Sequence, residues 1–256
     1  MPLEQITGWF LIGGMVAVMF VGSAWARRRP VLRSLSGWRV LPGQQSRSIE
    51  SGQRLHLSLG TGGMGGNNAA TTLAGLTLLE TCADEAAATD TPPIVTVADP
   101  TTLAMAQDVL RRAYIRHNNP SGFDPRSVRY VAASPLPYAA GVMDILSSEE
   151  TSANVMSGVF GSEAAFLAEE GARQGMLQVA AAADPTALSV LYPSANHLLI
   201  GEELFAVGAY VGERPSHVGS LLAQDVVRWI LVLIILAASL GSLAQKLGEL
   251  MGGLLP

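Results

Sequence analysis

The residues best suited to chemistry lie in one short run, Gly60-Thr61-Gly62-Gly63-Met64-Gly65-Gly66-Asn67-Asn68. Gly60 to Gly65 fits G-x-G-x-x-G, and the flanking pattern places the run between a strand and a helix, where that pattern binds phosphate. Glycine lets the backbone approach a ligand closely. The first N–H groups of a helix are unpaired donors with a positive dipole behind them. Asn67 and Asn68 add side-chain hydrogen-bonding groups. Gly60, Gly62, Gly63, Gly65, Asn67 and Asn68 are therefore candidate ligand-binding residues, with a nucleotide or another phosphate compound as candidate ligand. The competing reading is architectural: a tight turn, or close packing of chains.

Two carboxylates join this set. A dinucleotide fold expects an acid about 20 residues after the loop, at the end of the second strand. Asp99 has that structural place but lies 34 residues beyond Gly65. Ala98-Asp99-Pro100-Thr101-Thr102-Leu103 is nearly repeated in Ala183-Asp184-Pro185-Thr186-Ala187-Leu188, each directly after an apolar run. Asp is a good N-cap and Pro suits the first helical turn, so both read as strand-to-helix turns. The functional alternative has Asp99 and Asp184 facing one another at the carboxyl edge of a sheet, where ligands bind.

A catalytic set is not legible, and the catalytic residues stay unknown. His56, His117, His197 and His217 are scattered without metal-ligand spacing, so no metal is predicted. His56 falls in a strand and reads as structural. Cys82, the only cysteine, sits beside Leu78 and Leu79 as a core thiol and cannot form an internal disulfide. There is no G-x-S-x-G elbow, and Glu149-Glu150, Glu169-Glu170 and Glu202-Glu203 read as solvated faces. Lys246 is the only lysine, which excludes a phosphate-loop or Schiff-base lysine from the centre of the chain. Residues 48–225 carry 19 acidic side chains against 8 Arg, a poor surface for nucleic acid.

These residues need a scaffold to position them. Arg54 to Leu59 alternates at period two, as a half-buried strand does. Residues 34–53, with Pro42, read as an extended linker or a first strand. After the glycine loop a helix is predicted from Ala69 to about Glu85. Strands follow at Ile94–Ala98, Ser127–Ala133, Asn154–Phe160, Met176–Ala182 and His197–Ile200, with helices between them. Alternating strands and helices predict an α/β, Rossmann-like, mostly parallel sheet with helices on both faces.

Charged residues make up only 14% of the 256 residues, against about a quarter in soluble domains. Two apolar runs carry this deficit. Residues 6–26 lack any charge and end near Trp9 and Trp25, and residues 226–244 are apolar apart from Arg228. Both have the length of a transmembrane helix. The first is followed, not preceded, by Arg27-Arg28-Arg29, which suits an anchor better than a signal peptide. Residues 27–47 hold six Arg and no acid, so the positive-inside bias predicts a multi-pass protein of the cell membrane with a cytoplasmic central domain. The expected layout is a span over 6–26, a basic linker over 27–53, a domain over 54–220 and a span over 226–244.

The whole layout, with the segment from Ser51 to Ala70, resembles a prokaryotic two-pass membrane-protein family with no assigned activity. The resemblance implies an organisation and supplies no catalytic residues. The expectation is a membrane-anchored scaffold or assembly subunit, with the bilayer and a homo-oligomer or other membrane proteins as partners. The alternative is a nucleotide- or phosphate-binding membrane sensor or enzyme that uses the glycine loop.

Overall fold

The computed structural model describes residues 33–89, 91–212 and 215–252, together with 13, 14 and 16. Six strands pair in parallel: β1 (Arg54–Gly60), β2 (Ile94–Val97), β3 (Val128–Tyr130), β4 (Thr151–Val159), β5 (Leu177–Ala182) and β6 (His197–Ile200). Their order is β3-β2-β1-β4-β5-β6, so the direction of winding reverses between β1 and β4. Parallel neighbours need crossovers, and helices supply them. These are α2 (Ala69–Thr89), α3 (Pro100–Arg116), α4 (Pro135–Ser148), α5 (Ala164–Arg173) and α6 (Pro185–Leu191). One sheet face lies under α2 and α3, the other under α4, α5 and α6. A short helix, α7 (Val207–Tyr210), joins α2 on the first face.

The odd and even positions of the strands diverge in character. Leu55, Leu57, Leu59, Val95, Val97 and Val155 point to the α2 side, and all are buried. The even positions include His56, Ser58, Thr96, Asn154 and Gln178, and these are buried too. The alternation in β1 therefore marks no solvent face, contrary to the half-buried strand expected. The polar side chains pair with one another instead. Register aligns His56 with Asn154, and Asn154 with Gln178. Buried polar groups cost little when every one finds a partner.

Residues 36–51 form a helix, α1 (Ser36–Ser51), where an extended linker or a first strand was expected. Trp38, Leu41, Gln45 and Ser48 recur at helical spacing and are buried. Trp38 Nε1 donates to the Glu203 carbonyl at 2.9 Å, and Gln45 Nε2 to that of Cys82 at 2.7 Å. Pro42 sits inside this helix without ending it, and tertiary packing overrides its breaker signal.

The membrane layout needs correction. Among the described residues one helix is long and apolar enough to cross a membrane, within α8 (Pro215–Gly252). Its apolar stretch, Ser216–Gly241, has 26 residues, and its most apolar 18 residues have a mean hydropathy of 2.1. The run 6–26 lies outside the described residues except for Gly13, Gly14 and Val16. The expected pair of flanking spans, and with it the two-pass, multi-pass arrangement, is thus replaced by a single candidate span. The cytoplasmic placement was drawn from charges between two spans, and one span leaves that inference without its basis. An apolar run of this length has the capacity to cross a bilayer.

Candidate functional site

β1 ends at Gly60, whose φ of +72° is open to glycine at little cost. A Cβ there would collide with the Val159 carbonyl oxygen, which instead accepts from Thr61 N at 2.8 Å. At Gly62 a Cβ would come within 2.5 Å of Val159 Cγ2, and at Gly63 within 2.7 Å of the Asp99 carboxylate. Thr72 Oγ1 donates to the Gly63 carbonyl at 3.1 Å, and Thr102 Oγ1 to that of Gly62 at 2.9 Å. The first half of the glycine loop is thus explained by chain packing between β4 and the start of α3.

The second half differs. A Cβ at Gly65 would meet nothing within 4 Å. Asn67 and Asn68 are exposed in a 3-10 turn over Gly66–Asn68 that leads into α2. Both line a cleft of about 300 Å³ at the carboxyl ends of β1, β4 and β5. Thr71 shares their wall, Gly158, Val159 and Phe160 contribute from β4, and Ala183, Asp184 and Pro185 close the far side. This is the place where winding reverses, and open parallel sheets bind ligands there.

The two acids part company. Asp99 caps α3: its Oδ1 accepts from Thr101 N at 2.8 Å and Thr102 N at 3.1 Å, and from the Thr101 hydroxyl. The hydroxyl bond foremost, then those N–H groups, hold its carboxyl below the usual carboxylate range. Asp184 caps α6, its Oδ1 accepting from Thr186 N at 2.7 Å and Ala187 N at 3.4 Å. The Thr186 N–H leads in lowering its pKa. β1 and β4 stand between β2 and β5. Strands lie about 4.8 Å apart, so the two acids are separated by about 14 Å of sheet and form no pair. Of the candidate residues, Asn67, Asn68 and Asp184 are brought together in the cleft; Gly60, Gly62, Gly63, Gly65 and Asp99 are not among its lining.

Sequence reasoning missed the buried polar seam on the other side of the sheet's centre. Gln178 Nε2 donates to the carbonyls of Ala168 at 2.8 Å and Ser194 at 3.2 Å. Asn154 Nδ2 donates to Gln178 Oε1 at 3.4 Å, and Asn154 Oδ1 accepts from His56 Nδ1 at 2.9 Å. His56 Nε2 is then the acceptor facing the Thr96 hydroxyl at 3.1 Å, and Tyr138 OH lies 2.6 Å from Ser58 Oγ. Burial pushes His56 down to about 4, so the ring is neutral, and Tyr138 up to about 12. The one available signal was polar residues inside otherwise apolar strands.

The other titratable candidates have structural surroundings. Burial raises the Cys82 thiol to about 12, which leaves it unreactive. Glu149 pairs with Arg54 and Arg129, and Glu170 with Arg173 at 3.2 Å. Glu203 accepts from Ile200 N at 3.1 Å. Among the described residues no group of three or more His, Cys, Asp or Glu is placed to hold a metal ion.

Comparison with known proteins returned no matching curated protein and no matching solved structure. A family model described as a domain of unknown function (DUF6754) matches residues 3–250. With nearly the whole chain covered, a parallel α/β sheet and an apolar helix included, the chain belongs to the DUF6754 family.

Proposed function

We propose that this chain is a membrane-tethered scaffold, or a subunit of a membrane protein assembly, rather than a catalyst. One observation carries the reading: within Ser216–Gly241 the run Ile230–Leu236 is apolar on every face, and only 6% of the most apolar 18 residues is buried. Such a helix is unfavourable in water and stable in hydrocarbon, so the bilayer is its natural partner. Ala237, Ala238 and Gly241 allow a second helix to approach closely, from another copy or another membrane protein. Alkaline carbonate extraction of membranes containing the full chain tests the tether. Retention in the membrane pellet is expected; release into the supernatant overturns it. In mild detergent the chain should run larger than one copy, and a strictly lone monomer removes the assembly half of the reading.

The cleft favours a second reading, a ligand-binding sensor or an enzyme that uses the end of the glycine loop. Gly65, Asn67 and Asn68 border open space, and the start of α2 offers N–H donors. Nucleotide at 100 times its dissociation constant would add about 2.7 kcal/mol of stability. A thermal shift that the double change Asn67→Ala and Asn68→Ala abolishes supports this reading, and an unmoved Tm across the nucleotides counts against it.

A further inference from the structure

The chemistry of the cleft narrows what it would hold. Among the described residues that line it there is no Arg, Lys or His, and one charged side chain, the Asp184 carboxylate. A phosphate would meet like charge there with no cation to offset it. Its volume of about 300 Å³ lies at the low end for small-molecule sites, too small for a dinucleotide.

The polar groups of one wall are unspent. The side chains of Asn67 and Asn68 make no hydrogen bond to any described residue. Thr71 stands apart from the other threonines of α2. Thr72, Thr77, Thr81 and Thr89 each donate their hydroxyl to the carbonyl four residues back. The Thr71 hydroxyl makes no such bond, although its side chain is half-buried at the cleft. Across the cleft, Asp184 takes both cap bonds on Oδ1. Two amides, a hydroxyl and a carboxylate on facing walls match a molecule that presents adjacent hydroxyls, since a hydroxyl donates to carboxylate and exchanges bonds with amides. The partly exposed Val159 and the small residues Gly158 and Ala183 leave an apolar floor for a ring.

We propose that this cleft binds a neutral, hydroxyl-rich small molecule of nucleoside or sugar type, its adjacent hydroxyls held by Asp184, Asn67, Asn68 and Thr71. The proposal rests on the cleft being a ligand site and replaces phosphate with hydroxyl as the recognised group.

The test uses the full chain in detergent, titrated calorimetrically with ribose, adenosine, AMP and inorganic phosphate. Adenosine should bind, and AMP no better than adenosine. Binding of ribose as well makes the sugar sufficient; adenosine alone makes the base a required part. Asp184→Asn keeps an acceptor for the α6 cap while removing the charge, and should weaken adenosine about tenfold or more with the ligand-free Tm unmoved. Thr71→Val, which removes only the hydroxyl, should weaken it by a smaller factor. Preference for AMP or phosphate over adenosine overturns the proposal and leaves the cleft a ligand site. Adenosine binding that neither variant weakens overturns the assigned location. Silence from all four probes overturns the proposal and the ligand reading together.

Discussion

Two corners of this sheet share almost the same six residues and have different fates. At the β2 corner, Asp99 caps α3 and its carboxylate lies against Gly63, while the Thr102 hydroxyl ties down the Gly62 carbonyl. At the β5 corner, Asp184 caps α6 in the same way, but Ala187 takes the place of Thr102 and the carboxylate borders a cleft. One corner is closed by the glycine loop, the other left open beside it. Local sequence sets the cap in both cases. What lies above the cap is decided by neighbours in the sheet.

The closed corner should be the easier to break. Gly60→Ala places a Cβ against the Val159 carbonyl in a left-handed backbone, and should cost more than about 3 kcal/mol or prevent folding, read by chemical denaturation.

The polar seam links β1, β2, β4 and β5 beneath both corners, so acid should loosen them together. His56 falls to about 4 when folded from 6.5 when free. The unfolded chain therefore binds more protons between these values, and stability falls as pH drops through that window. The loss is on the order of 3 kcal/mol by pH 4, and His56→Gln should flatten the pH dependence of Tm.

Asp99→Ala removes a cap and frees the loop above it, for a loss of about 2 kcal/mol. Asp184→Ala removes only a cap and should lower Tm less. Equal losses at the two sites would erase the distinction between closed and open corners. The smallest effect belongs to Gly65→Ala, within about 0.5 kcal/mol of the parent, because nothing crowds that position.

The strand and helix pattern was legible because each element carries a local period. His197–Ile200 is a strand as expected, and the Asp-Pro pairs open α3 and α6. α1 was not legible, since Pro42 signals a break and the burial of Trp38 and Leu41 depends on distant segments. The alternation in β1 was read correctly as a strand but wrongly as half-exposed. His56 and Ser58 look like a solvent face until Asn154, Thr96 and Tyr138 are brought beside them. For the candidate site, the sequence marked Asn67, Asn68 and Asp184 by type. It gave no reason to separate them from Gly62, Gly63 and Asp99, and no reason to single out Thr71.

The sequence by itself determined the parallel α/β class, the two capped turns and an apolar helix able to span a bilayer. Periodicity, capping and hydropathy are properties of neighbours along the chain, so no fold is needed to read them. Only the tertiary structure decided the strand order, and through it which acid meets the loop and which meets the cleft. Pairing between strands joins residues about a hundred positions apart, such as His56 and Asn154, and local propensity carries no information about that choice.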